Sequence, residues 1–161
     1  MDVFDFAVQM EMDGENYYRE QAGKFAGSKL QNVFVMLAED EKRHAEILKS
    51  QAEGKAYSLA DSQTLSGAKN IFSDLGDFKS EIQKIPSQLD AYEMAMEMEK
   101  KSIALYEECL SKSKDDSAAG IFTYLIQQEK DHYSVMEELM ESVRNALIWV
   151  ESAEFGIRKE Y

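Results

Sequence analysis

The chain has 161 residues, 44% of them apolar and 30% charged, which describes one globular domain able to bury a core without staples. Its net charge of −13 argues against nucleic acid or an anionic membrane as a partner. The single Cys109 excludes an intrachain disulfide framework, a Cys₄ zinc ribbon and a rubredoxin-type iron site. With no basic leader and no apolar run near the roughly 18 residues of a membrane span, the expected compartment is the cytoplasm.

Period-3.6 spacing predicts four long helices. The first covers about Asp2 to Phe25, with Phe4, Val8, Tyr18, Ala22 and Phe25 on one face. Ser28 and Gln31 form a capping box for a second helix, which runs to about Glu53 and stops at Gly54. Residues 54–86 form a long connection, partly helical, with apolar clusters at Leu65, Ala68, Ile71, Phe72 and Leu75. A third helix begins after Pro86, capped by Ser87, and carries Leu89, Tyr92, Met96, Ile103, Tyr106 and Leu110. "SKSKDDSAAG" reads as a loop, and a fourth helix with Phe122, Leu125 and Met136 inside runs to Val143 or beyond. The final stretch, with Trp149 and Phe155, reads as an extension that packs elsewhere, including on another subunit. Two short loops and one long crossover give an all-α, ferritin-like four-helix bundle.

The chain also repeats itself. Sliding it by 88 residues lays "AVQMEMDGENYY" over "AMEMEKKSIALY" and "FVMLAEDEKRHAEIL" over "FTYLIQQEKDHYSVM". The differences 99 − 11, 106 − 18, 129 − 41 and 132 − 44 are all 88, so roughly 1–53 and 87–143 are expected to be related helix pairs within the one domain. Glu11, Glu41, His44, Glu99, Glu129 and His132 all fall on apolar stripes, and the only 2 His both occur in Glu-x-x-His. A Glu three residues before a His lies on the same helical face one turn away, so both reach one point. Four buried carboxylates would cost several kcal/mol each or force protonation. Two divalent cations bring their charge to zero, with two neutral imidazoles completing the shells. The six residues are therefore the candidate metal ligands, and Tyr18 and Tyr106 are candidates for hydrogen bonding behind them or for a redox role. Plain core packing is the other reading of both tyrosines. Cys109 reads as a small buried hydrophobe, and Glu15, Glu39, Glu46 and Glu97 as solvated faces.

Glu11 with Tyr18, Glu41-x-x-His44, Glu99 with Tyr106 and Glu129-x-x-His132 resemble the ferritin-like di-iron carboxylate proteins. "MEMDGENYY", "LAEDEKRHAEIL" and the tail "IWVESAEFG" look most like the rubrerythrin branch. The resemblance implies Glu11 and Glu99 as terminal ligands, Glu41 and Glu129 as bridges, and one nitrogen ligand each from His44 and His132. It also implies two Fe ions per site, Mn or Zn being possible substitutes, and reduction of hydrogen peroxide or O₂ with electrons from a separate donor such as a rubredoxin-like protein. A homodimer or larger homo-oligomer is expected. A ferritin-type ferroxidase and a metal-binding bundle without redox turnover are the alternatives. Two departures stand out. Full rubrerythrins add a rubredoxin domain with four cysteines, and they carry a further, exchangeable Glu where this chain has Ser102.

Overall fold

The computed structural model describes residues 2–74 and 89–158, with side chains up to 73 and to 145. The protein is all-α: α1 is Val3–Lys24, α2 Leu30–Glu53, α3 Thr64–Asp74, α4 Leu89–Lys112 and α5 Asp116–Arg158, with no strand among the described residues. The arrangement is compatible with a ferritin-like bundle: α1 packs on α2, α4 on α5, and α3 lies on α2 and α5. The Leu75 cluster, Pro86 and the Ser87 cap lie outside the described residues, as do the side chains of Trp149 and Phe155.

Helix ends follow local chemistry. The Asp2 carboxylate accepts from the Phe4 N–H at 2.6 Å and caps α1. Gly54 closes α2 in the left-handed region at φ 69°, with the Lys55 N–H reaching the Ser50 carbonyl at 2.8 Å. Two local expectations change. The Ser28–Gln31 box does not close reciprocally: Ser28 Oγ accepts from the Leu30 N–H, and Gln31 Oε1 accepts from the Gly27 N–H. The Ser28 N–H is already committed to the Phe25 carbonyl at 2.9 Å, so no donor remains for Gln31 there. The loop read as "SKSKDDSAAG" shrinks to residues 113–115. Asp115 accepts from the Ser117 N–H, and the good helix formers Ala118 and Ala119 continue the helix from Asp116.

The core is split into two apolar layers. One holds Tyr18, Phe25, Phe34, Leu37, Tyr92, Val135 and Met136, with Leu65, Ala68, Ile71 and Phe72 bringing in the connection. The other holds Ala7, Ile47, Leu48, Tyr106, Ile121, Phe122 and Leu125. Each long helix crosses from one layer to the other. α1 passes from Ala7 to Tyr18, α2 from Leu37 to Leu48, α4 from Tyr92 to Tyr106, and α5 from Leu125 to Met136. Thus α1 and α5 run one way while α2 and α4 run the other. Because α2 ends in the layer opposite to the one where α4 starts, the connection must travel the length of the bundle. The polar side chains between the layers are almost fully buried, and burying each large apolar side chain of the layers contributes about 1.5–3 kcal/mol.

Candidate metal centre

The polar residues predicted as ligands occupy that sealed slab. Glu11 is 1% exposed, Glu41 4%, His44 0%, Glu99 4%, Glu129 1% and His132 1%. They form two sets whose ligand atoms lie within 4.8 Å of one another: Glu11, Glu41, His44 and Glu129, and Glu41, Glu99, Glu129 and His132. Glu41 and Glu129 belong to both sets, so they lie between two positions that a pair of metal ions could occupy.

The imidazoles point inward through Nδ1. His44 Nδ1 lies 3.0 Å from Glu129 Oε1 and 3.4 Å from Glu11 Oε2; His132 Nδ1 lies 2.8 Å from Glu41 Oε1 and 3.5 Å from Glu99 Oε1. Their outer nitrogens are engaged elsewhere. His132 Nε2 sits 3.0 Å from Asp40 Oδ2, and His44 Nε2 sits 3.0 Å from Gln128 Oε1. A carboxylate can only accept, and Gln128 Oε1 also accepts from Arg43 Nη2 at 2.9 Å. Both Nε2 atoms therefore carry a hydrogen, so Nδ1 is the nitrogen that each ring can offer to a metal.

The tyrosines cross between halves. Tyr18 donates to Glu99 Oε1 at 2.7 Å, and Tyr106 donates to Glu11 Oε1 at 2.6 Å. Burial, then the neighbouring carboxylates, push both phenols well above their ordinary range, so they remain donors. Each bond orients a carboxylate whose other oxygen is left over: Glu11 Oε2 and Glu99 Oε2 are buried without a hydrogen-bond partner. Unpaired carboxylate oxygens in a dry interior are costly, and a cation is the partner that suits them. Replacing Tyr18 with Phe should cost about 1–3 kcal/mol by stripping Glu99 of its donor, or roughly 2–12 °C in Tm. Thermal denaturation of Tyr18→Phe checks this, and an unchanged Tm would show that the bond is not made.

Charge is divided unevenly with protein groups alone. Burial drives Glu41 and Glu129 upward, and the surrounding carboxylates push them further, so both hold protons well beyond the ordinary range. Burial also opposes the ionisation of Glu11 and Glu99. Their polar neighbours outweigh it, bringing Glu11 down to about 2 through Glu41, His44 and Tyr106, and lowering Glu99 through Glu129, His132 and Tyr18. Burial disfavours the His132 cation, but Asp40 and then Glu99 raise its pKa well above 6.5. The sign for stability follows. The metal-free fold loses stability as pH rises above about 4.5 through the raised Glu41 and Glu129, and above about 6.5 through His132. Glu11 and Glu99 act oppositely, losing their contribution as pH falls below the ordinary carboxylate range. Metal uptake should displace the protons on Glu41, Glu129 and His132. Adding Zn²⁺ or Co²⁺ in weak buffer should thus acidify the solution, with affinity weakening as pH falls; uptake without proton release would contradict this assignment.

Other predicted positions settle on the surface. Glu15 and Glu39 pair with Arg19 at 2.7 and 2.9 Å, Glu97 pairs with Lys100 at 3.4 Å, and Glu46 is exposed. Cys109 is half-buried against the second apolar layer, and its thiol is pushed up by burial.

Compared with known protein families, residues 2–140 match the Rubrerythrin family. The chain belongs to the rubrerythrin family. Neither a search of curated proteins nor one of solved structures returned a match. A rubrerythrin domain and a buried Glu/His cluster with unpaired oxygens fit a di-iron site.

Ser102 uses its hydroxyl locally. Its hydroxyl donates to the Met98 carbonyl at 3.0 Å and lies 3.4 Å from Met10 Sδ. Its counterpart 88 residues earlier is Gly14, where an added Cβ would come within 3.0 Å of Glu41 Oε2. Both small residues line one cleft between α1 and α4. The cleft has a volume of about 570 Å³ and is walled by Phe6, Met10, Met98 and Leu105, with Glu41, Glu99 and Glu129 at its floor.

The sequence reading overlooked Asp40, Gln128 and Gly14. A signal existed, because Asp40 and Gln128 each precede a Glu-x-x-His by one residue and are themselves 88 apart. They were passed over because one is an acid and the other an amide, so they do not match as letters.

Proposed function

We propose that the protein is a di-iron oxidoreductase that reduces hydrogen peroxide or O₂, with electrons returned by a separate donor protein. The observation that carries this reading is the sealed set of four Glu and two His, with one oxygen of each terminal Glu unpaired. Glu11 and His44 would hold one iron, Glu99 and His132 the other, and Glu41 and Glu129 would bridge them. Mixed carboxylate and imidazole ligands suit iron or manganese better than zinc, which favours fewer ligands or thiolates. An iron pair held there would supply the two electrons that, with two protons, reduce H₂O₂ to two waters.

The chain's own residues set the conditions. Tyr18 and Tyr106 hold the terminal carboxylates at fixed angles, while the apolar layers on both sides keep bulk water from the bridge. The cleft between α1 and α4 is the route for the oxidant, since it ends on the bridging carboxylates. Among the described residues no helix is long and apolar enough to cross a membrane.

Anaerobic stopped-flow mixing of the diferrous protein with H₂O₂ tests the reading. Fast oxidation of both irons by one equivalent of peroxide is expected. Slow, non-stoichiometric oxidation would overturn the peroxidase role.

A further inference from the structure

The six candidate ligands are matched across the 88-residue repeat, but the groups behind the two histidines are not. Asp40 lies behind His132, and its counterpart Gln128 lies behind His44, each 3.0 Å from the outer ring nitrogen. Both are almost fully buried, at 4% and 5% exposed. We propose that this pairing of an acid with an amide makes the two metal positions inequivalent, the His132–Glu99 position being the tighter one and Asp40 the positioning residue responsible. The inference rests on the two-metal reading above.

The surroundings show that Asp40 is built to remain a carboxylate. Its Oδ2 accepts from Thr64 Oγ1 at 2.6 Å and from Ser62 Oγ at 2.8 Å, and its Oδ1 accepts from Arg43 Nη1 at 3.0 Å. With His132 it therefore has four donors on two oxygens, the full complement of an ionised acid. Ser62 and Thr64 come from the connection at the start of α3, so the crossover segment touches the candidate site through Asp40. Gln128 is neutral and accepts only from His44 and Arg43. Arg43 spans both, with one guanidinium nitrogen on each.

The consequence follows from the chemistry of a ligating imidazole. A carboxylate accepting the Nε2–H shifts electron density toward Nδ1 and strengthens it as a donor, whereas an amide oxygen does so far less. Such partners typically alter metal affinity by about 10–100-fold. An Asp–His–metal arrangement at one position and a Gln–His–metal arrangement at the other would therefore fill in order. The first divalent ion would go to Glu99 and His132.

The test is titration of the metal-stripped full chain with Co²⁺, followed by visible absorption and by the shifted ring N–H signals of the two histidines. The wild type should bind two ions in two steps at least about tenfold apart, with the signal hydrogen-bonded to Asp40 moving first. Repulsion between two cations could by itself separate the steps, so the variants decide. Asp40→Asn keeps an oxygen able to accept from His132, while it removes the charge and turns the acceptor facing Arg43 into a donor; it should weaken the first step by about 10-fold or more and bring the two together. Gln128→Glu places a carboxylate behind His44 and should tighten the second step, an effect that loss of structure cannot mimic. Two steps that stay equally far apart in both variants, or a His44 signal that moves first, would overturn the inference while leaving the two-metal reading intact. Failure of the wild type to bind two ions would instead defeat that reading.

Discussion

Loading the metal-stripped protein with two equivalents of a divalent ion should raise its Tm by about 8–16 °C for each site filled. A ligand present at a thousand times its Kd stabilises the native state by about 4 kcal/mol, and a chain of this size gains roughly 2–4 °C per kcal/mol. Here the increment should be at the upper end. The unloaded slab holds four carboxylates, two of them forced to keep protons and two with an unpaired buried oxygen. A cation removes both penalties at once. The gain should grow with pH, because the unloaded fold weakens as Glu41, Glu129 and His132 are pushed to release protons. Scanning calorimetry with and without anaerobic Fe²⁺ at pH 6 and pH 8 measures this. A Tm that ignores the metal would show that the six side chains are not a binding site.

Glu129→Gln should have a large effect, shared only with the same change at Glu41, since these two belong to both candidate ligand sets. Gln keeps the volume of Glu, so the bundle stays packed, but the variant should lose more than about 100-fold in affinity at both positions, beyond the range for groups behind the ligands. Glu11→Gln should act on one position only, because Glu11 appears in one set. The metal-free stabilities should move the other way. Glu129 is one acid too many in a crowded dry cluster, so Glu129→Gln without metal should be at least as stable as the parent. Equilibrium binding of Co²⁺ together with urea denaturation separates the two effects. Full retention of both ions by Glu129→Gln would remove it from the bridge.

The fold was legible because its signals are periodic. Leu30, Phe34, Leu37 and Leu48 lie on one stripe and all end fully buried, while Gly54 marks the end of α2 by the left-handed turn it alone adopts easily. The candidate site was legible because two copies of Glu-x-x-His and two further Glu recur at one offset on apolar stripes. The partners behind the ligands were not. Asp40 sits on the same exposed-looking run as Glu39 and Lys42, and only the fold shows that it turns toward His132 and gathers Ser62 and Thr64 around it. Nor does one-dimensional spacing say that Tyr18 serves Glu99 rather than Glu11, since that exchange depends on how α1 faces α4. Gly14 reads as a mild helix weakener; its reason, the 3.0 Å approach of Glu41 to where a Cβ would stand, exists only in three dimensions.

The most direct measurement is the iron content of the protein after anaerobic reconstitution with ⁵⁷Fe²⁺ and removal of excess metal, read with its Mössbauer spectrum after oxidation. The account predicts two irons per chain and a spectrum of spin-coupled ferric pairs, as a shared Glu41–Glu129 bridge requires. One iron or fewer per intact chain, or two uncoupled ferric ions, would contradict it.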